Sequence, residues 1–360
     1  CSSYHVMNKK KLSVIKIAGG GIAGLSAAMY LQRKNFQVEV YEKEKKIGKS
    51  RHGDFEGIEN WIFSSNNSNA FKKIGFNTDK ISLSPVRQFV VHTATDKPFK
   101  VKCALPFFNL VKRGSNRGDL DSQLFEQCVK EGIIFNLGQQ APENCDIIAT
   151  GTKKASAYIS GLNFKTNSKN QIHLLLGSKF APKGYAYMII QDGQGTIATA
   201  FKKDYESKVN PLKNCIDEFS KLRIDIIDPK KFGSRGSFSL PFGFKYKKPF
   251  FVGEAGGFQD YLFGFGMKIS MLSGLAAAMF IEGKGPAAKK LFRDLNKKRK
   301  ISFINRILYE RLSDNQMHSF AKRFSESDNS IELLSSAYEW NIKNLIRWST
   351  FKSRYEIRTS

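Results

Sequence analysis

Gly19, Gly21 and Gly24 stand in the spacing G-x-G-x-x-G, directly after the β-branched run Val14-Ile15-Lys16-Ile17 and directly before the helix formers Leu25-Ser26-Ala27-Ala28. Three demands meet in that pattern: a strand turns sharply into a helix, a backbone comes close to a pyrophosphate, and the helix start packs hard on the strand. Each of them excludes a Cβ. The amides of Ile22 and Ala23 then open the helix, where unpaired N–H groups and the positive end of the helix dipole favour phosphate. Glycine-rich turns also occur where nothing binds, so context decides. Gln37-Val38-Glu39-Val40-Tyr41 reads as a second strand, and it delivers Glu42 about 20 residues beyond the glycines, where an acid meets the ribose hydroxyls of an adenosine. The pattern predicts a bound dinucleotide. An acid at that strand end suits FAD or NAD and argues against the 2′-phosphate of NADP.

No second constellation competes. The sequence offers no Ser/His/Asp arrangement, no paired carboxylates and no metal-ligand spacing, so no metal is expected and no catalytic side chain can be named. That is the expectation for a chain whose chemistry is carried by a bound cofactor. The five cysteines, Cys1, Cys103, Cys128, Cys145 and Cys215, are scattered, odd in number and free of C-x-x-C pairs, which reads as reduced thiols and a cytoplasmic setting. No run of about 18 apolar residues exists. The apolar stretch 14–31 imitates a secretory signal, but the glycine spacing and the strand that follows explain it as a first βα unit.

The elements that must position these residues follow in order. Residues 43–61 are rich in Gly and polar side chains and read as a loop, and Val86–His92 and Phe99–Lys102 read as strands opening a second, sheet-based domain. Leu120, Leu124, Gln127 and Cys128 recur at helical spacing and predict one buried face. Cys145–Gly151 is an apolar strand ending in Thr-Gly. Strands then dominate at Gln171–Leu176, Gly184–Gln191 and Gly195–Ala200, with turn residues 192–195 between the last two. Phe250–Phe258 is a further strand running into glycines, and a helix is expected from Lys268 through Phe280. Beyond residue 285 the chain turns basic and helical, with Tyr338, Ile342, Leu345 and Ser349 on one helical face.

Charge is the unusual part of the composition. Fifty-eight Lys and Arg against 32 Asp and Glu give a net charge of +26, which predicts attraction to polyanions such as nucleic acid, an anionic membrane surface or a phosphorylated substrate. A Lys-, Asn-, Phe- and Ile-rich composition also arises from an AT-biased genome without any such partner. No nucleic-acid-binding motif or aromatic RNA-binding signature accompanies the charge. The basic C-terminal region reads either as a helical cap or as a membrane-surface patch.

Over about residues 12–285 the chain resembles FAD-dependent oxidoreductases of the geranylgeranyl reductase type, relatives of the flavin aromatic hydroxylases. The similarity is carried by the glycines at 19–24, the loop with Arg51, the segment Arg113 to Leu120-Asp121-x-x-Leu124, the turn Ala149-Thr150-Gly151, Gly184-Tyr185-Ala186-Tyr187, and Gly253-Glu254-Ala255 followed by Gly264 and Gly266. It implies an α/β fold: a Rossmann-like FAD-binding domain of the glutathione reductase or aromatic hydroxylase type from residues 12–80, 113–155 and 241–285, an inserted β-sheet substrate domain from 81–112 and 156–240, and a C-terminal helical region, 286–360. It further implies FAD held by Gly19, Gly21, Ile22, Ala23, Gly24, Glu42, Arg51, Gly253, Glu254, Gly264, Gly266 and Met267. Arg113 either reaches the flavin or is a surface arginine before a helix, and Tyr185 and Tyr187 either line the substrate cavity or belong to the core. Glu254 stands where the family usually carries aspartate, and the cysteine that family reductases often show between the second strand and residue 61 is absent. The reactions implied are reduction of a C=C bond in an isoprenoid or other lipid, with NAD(P)H or another donor, or hydroxylation of a substrate. A non-catalytic flavin-binding protein and a nucleic-acid-associated protein are the alternatives from other classes, and a cytoplasmic protein with peripheral membrane contact is the expected setting.

Overall fold

The computed structural model describes residues 14–94, 97–152, 157–202, 210–236 and 246–354. Cys1 and the domain limits placed at residues 12, 156, 240, 241 and 360 lie outside them.

Strand β1 (Ile15–Ala18) runs into α1 (Ile22–Gln32) and returns as β2 (Val38–Glu42). β1 and β2 pair in parallel, with Ile17 opposite Val40. Helix α1 is apolar all round, which a surface helix cannot be. Ten of its residues, Ile22 through Leu31, are buried. It lies between the parallel sheet and a second helix buried on all sides, α5 (Met267–Ile281), of which Met267 through Met279 are buried. The two backbones approach closely because Gly274 faces Ala23, where a Cβ would stand 2.2 Å from the Ala23 carbonyl oxygen.

Between those helices the chain builds three sheets. β3 (Phe55–Glu59), α2 (Asn67–Ile74), β4 (Ser84–Val86), β5 (Gln88–His92), β6 (Phe99–Lys102) and β7 (Phe108–Lys112) come first. β3, β7 and β4 form a small antiparallel sheet in the order β3-β7-β4, which the sequence reading did not foresee. Its pairing of Gly57 with Leu110 crosses the domain limit drawn at residue 81. Helix α3 (Leu120–Lys130), β8 (Ile134–Leu137), β9 (Ile147–Ile148) and later β15 (Phe250–Phe251) complete the parallel sheet, in the order β15-β9-β1-β2-β8. Leu120, Leu124 and Cys128 of α3 are buried, whereas Gln127 is half-buried and accepts from Asn77 N–H at 2.8 Å.

β10 (Ala157–Lys165), β11 (Gln171–Leu175), β12 (Tyr185–Gln191), β13 (Gln194–Phe201), α4 (Pro211–Ser220) and β14 (Ile227–Gly236) follow. The strands among them join β5 and β6 in a seven-stranded sheet, β14-β10-β13-β12-β11-β5-β6. The β12–β13 turn puts Asp192 at φ 51° and Gly193 at φ 77°, the two left-handed positions that a tight hairpin requires.

The C-terminal region is α6 (Gly285–Tyr309), α7 (Asp314–Ser325), α8 (Ser330–Ser336) and α9 (Ile342–Arg354). Ser313 and Gln316 cap α7 reciprocally through side chain and backbone. Tyr338 does not share a helical face with Ile342 and Leu345. It precedes α9 and is fully buried, whereas those two side chains point outward.

Candidate functional site: a cleft from the glycine turn to the C-terminal helices

One cleft of about 1120 Å³ runs through the molecule. Clefts that take a single drug-sized ligand span about 300–1,000 Å³, so there is room here for a dinucleotide and a second molecule. It is lined by Gly19, Gly20, Gly21, Ile22, Ala23, Glu42, Arg51, Arg113, Tyr185, Tyr187, Gly253, Glu254, Gly264, Gly266 and Met267. The structure therefore brings together residues some 250 positions apart, and of those named from sequence only Gly24 stands behind the wall.

The three glycines divide the work. Gly19 takes φ 99°, and a Cβ there would meet the Ala149 carbonyl oxygen at 2.4 Å, so strand β9 closes directly over the turn. A Cβ at Gly24 would stand 2.0 Å from the Gly19 carbonyl oxygen, which makes it the contact of helix on strand. A Cβ at Gly21 meets no protein atom within 4 Å. Packing does not ask for glycine at that position, and its φ of −73° suits any residue. The open space it leaves faces the start of α1, which carries no side-chain cap, and a phosphate bound to the first amides fits that cradle.

Glu42 is held by backbone. Its Oε2 accepts from Gly20 N–H at 2.9 Å and its Oε1 from Glu44 N–H at 3.0 Å. A carboxylate oxygen has a second lone pair. The carboxylate is thus oriented at the cleft edge with capacity left for ribose hydroxyls. Lys43, Lys46 and Lys49 line the same end.

Arg51 and Arg113 differ. Arg51 is half-buried and lies 3.9 Å from a Glu56 oxygen. Arg113 is 2% exposed, and each nitrogen of its guanidinium makes one bond: Nε and Nη2 donate to Asp121 at 2.8 Å each, and Nη1 donates to Glu56 at 3.1 Å. Burial works against its charge, and Asp121 and then Glu56 outweigh burial, so its pKa is raised. On Asp121 burial is likewise outweighed by Arg113, and the carboxyl is held below its ordinary range. Arg113 lines the cleft as part of this ion-paired group with Asp121 and Glu56.

At the other end, Gly253 takes φ 58°, and its N–H donates to Ser273 Oγ at 2.8 Å. Glu254 lies in the 3₁₀ turn Gly253–Gly256. Gly264 at φ 76° and Gly266 carry the chain into α5, whose N-terminus opens on the cleft through Met267. Part of the basic excess is spent here. Arg299 is buried and donates from Nη1 to the Gly256 carbonyl at 2.6 Å, and Arg306 is buried and donates to the carbonyls of Leu262 and Lys183. Helix α6 thereby fixes the turns that shape this end.

Sequence reading missed several groups. Asp54 lines the cleft, and burial, then the neighbouring Glu56, pushes its carboxyl up to about 6. His173 also lines it, its Nδ1 sharing a hydrogen bond of 2.8 Å with His92 Nε2, and burial, then His92, pulls it down to about 4. Glu59 is fully buried, and neither of its oxygens finds a partner. Burial pushes it up to about 8, against the pull of Lys268 in the first turn of α5. Nothing in the spacing of these residues marks them. The C-terminal side chains do carry a signal. Met317, Phe320, Ala321 and Phe324 of α7 recur at i, i+3, i+4 and i+7 and all line the cleft, with Leu334 of α8.

That far arm is apolar. Phe89, Val91, Phe107, Leu174 and Leu176 face the α7 side chains across it. Tyr185 donates its hydroxyl to the Phe263 carbonyl, and its ring centroid lies 6.3 Å from that of Tyr187. Burial raises both phenols well above their ordinary pKa, so they are neutral hydroxyls beside the arm. Among the described residues no group of His, Cys, Asp and Glu is arranged to hold a metal ion.

Residues 17–71 match the NAD(P)-binding Rossmann-like domain family. Over 94 residues, 26% of the chain, the sequence is 32% identical to kynurenine 3-monooxygenase of the pig, Sus scrofa, and the match spans 19% of that relative's length. The fold matches a geranylgeranyl bacteriochlorophyll reductase-like protein of Thermoplasma acidophilum with a TM-score of 0.65 at 17% identity, over 96% of this chain and 98% of that one. It matches a flavin-dependent brominase with a TM-score of 0.65 at 15% identity, over 96% and 100% of the two chains. A flavoprotein/dehydrogenase of Cytophaga hutchinsonii gives 0.60 at 13% identity, over 95% and 94%. The Rossmann-like α/β core and helical C-terminal region expected from the sequence are both present, and the chain shares its fold with the geranylgeranyl bacteriochlorophyll reductase-like protein and the flavin-dependent brominase.

Proposed function

We propose that the protein is an FAD-dependent oxidoreductase acting on an apolar, unsaturated, lipid-like substrate, with NAD(P)H or another donor restoring the reduced cofactor. The observation that carries this reading is the continuity of the cleft, from the open cradle at Gly21 past Gly264 and Gly266 to an arm walled by Phe89, Phe107, Leu174, Met317 and Phe324. Bound FAD supplies hydride and electron transfer, and the chain supplies position and field. The amides at the start of α1 and the oriented Glu42 hold the phosphates and the adenosine ribose. The N-terminus of α5 directs its positive end at the cleft, which favours negative charge gathering on a reduced ring system. The apolar arm excludes water from a hydrocarbon chain. Lys43, Lys46, Lys49 and Arg51 add positive charge to a cleft lining that also holds Glu42 and Glu44.

Hydroxylation is the second reading, favoured by the 32% identity to a monooxygenase. Stopped-flow reoxidation of the dithionite-reduced, FAD-loaded protein separates the two. A reductase is reoxidised slowly by oxygen and faster by an unsaturated anionic lipid such as a prenyl diphosphate. Fast reaction with oxygen that a small aromatic compound stimulates rejects the reductase in favour of the hydroxylase.

A further inference from the structure

Helix α9 exposes apolar side chains on one face although its other face is already packed. Ile342 is 78% exposed, Ile346 62% and Leu345 48%, and with Ser349 they form a single stripe at helical spacing. The opposite side is anchored. Asn344 is buried and donates from Nδ2 to the Glu339 carbonyl at 2.7 Å, Trp348 packs beside Ile304 and Ile307 of α6, and Lys300 Nζ lies 5.2 Å from the centre of the Trp348 ring. The stripe is thus displayed by a helix that is held in place, not by one that lacks its packing partner.

Charge selects the occupant. The helix carries Lys343, Arg347, Lys352 and Arg354 and no acidic residue, on a chain of net charge +26. A second copy would bring like charge onto like charge. A bilayer with anionic head groups offers apolar depth for the stripe and negative charge for its flanks at the same time. We propose that α9 is a membrane-docking helix that lays Ile342, Leu345 and Ile346 on an anionic lipid surface.

The position of the helix gives the contact a use. The chain reaches α9 from α8 through Tyr338, whose hydroxyl donates to Asp260 Oδ1 at 2.9 Å, and both Asp260 and Leu334 of α8 line the cleft. Phe320 of α7 lines the apolar arm and is 37% exposed, so the arm reaches the outside within the same group of helices. A lipid surface against α9 places long-chain substrate at that group. This use rests on the lipid-substrate reading, but the docking does not and is measured without turnover.

Sedimentation with phosphatidylcholine vesicles, with and without phosphatidylserine, tests it. The protein is expected to pellet with the serine-containing vesicles, less at high salt and far less with phosphatidylcholine alone. The double variant Ile342→Asp, Ile346→Asp should lose about tenfold in partitioning while melting with the wild-type midpoint, since both sites are exposed. Independently, Ile346→Trp should shift its fluorescence to the blue when serine-containing vesicles are added. Equal pelleting of the double variant, no pelleting of the wild type, or no fluorescence shift overturns the proposal. So does a dimer in sedimentation velocity that the double variant abolishes, which assigns the stripe to a second copy.

Discussion

A Cβ at Gly21 meets nothing, while one at Gly24, three residues on, lies 2.0 Å from a backbone oxygen, and substitution separates the two roles. Gly21→Val should cost only about 1 kcal/mol of stability, because its Cβ meets no protein atom and what is lost is the preference for glycine over valine at the N-cap of α1. It should nonetheless lower FAD affinity by at least about tenfold, since its branches fill the phosphate approach. Gly24→Val should instead destabilise the fold by about 1–3 kcal/mol or more through forced displacement of α1. Differential scanning calorimetry beside a flavin-binding titration reads both, and a Gly21 variant that binds FAD as wild type does puts the phosphates elsewhere. Glu59 makes a pH prediction. Its folded pKa, about 8, lies above its ordinary value of 4.5, so its contribution is intact below the lower value and is lost as pH rises towards the higher. Glu59→Gln removes that loss, and its stability should exceed wild type by roughly 2–4 kcal/mol at about pH 9 and match it at about pH 4. Parallel stability curves for the two proteins would show that Glu59 does not titrate in this range.

At the scale of elements, the two glycine-rich helix starts were legible because they combine a local steric demand with apolar runs. α1 is apolar on all sides and so must be sandwiched, and Gly274 of α5 marks where the sandwich is tightest. The small sheet β3-β7-β4 was not legible, because its pairing joins segments about 50 residues apart whose alternation alone names no partner. The same holds for α7. Its apolar periodicity announces a buried face, but periodicity cannot say whether that face meets core or cleft, and here Met317, Phe320 and Phe324 roof the apolar arm. Phe320→Asp should therefore leave flavin binding and melting near wild type while weakening the binding of a fluorescent polyene fatty acid, cis-parinaric acid, several-fold. Undiminished polyene binding by that variant would remove α7 from the substrate path.

Over the whole molecule, the site is assembled from the first 60 residues, the central sheets, the segment 253–267 and the C-terminal helices α6 to α8, and sequence spacing reached its glycine turns more easily than the rest. Glycines and a strand-end acid announce themselves by type, whereas Asp54, His173 and Glu59 acquire their character only from burial. The net charge of +26 was read as one property, but it divides. Arg113, Arg299 and Arg306 are buried and bonded to Asp121, Glu56, Glu310 and backbone carbonyls, and so belong to the architecture rather than to a partner. Other cations, among them Lys343 of α9, are exposed and carry the part of the charge that faces solvent. FAD spanning the cleft between Gly21 and Gly264 is the central expectation. Its most direct measurement is the visible absorbance of the protein after incubation with FAD and gel filtration. The wild-type protein should be yellow, with flavin bands co-eluting at one FAD per chain, and Gly21→Val prepared alongside should be colourless. Wild-type protein that emerges colourless under the same conditions, correctly folded by circular dichroism, would contradict it.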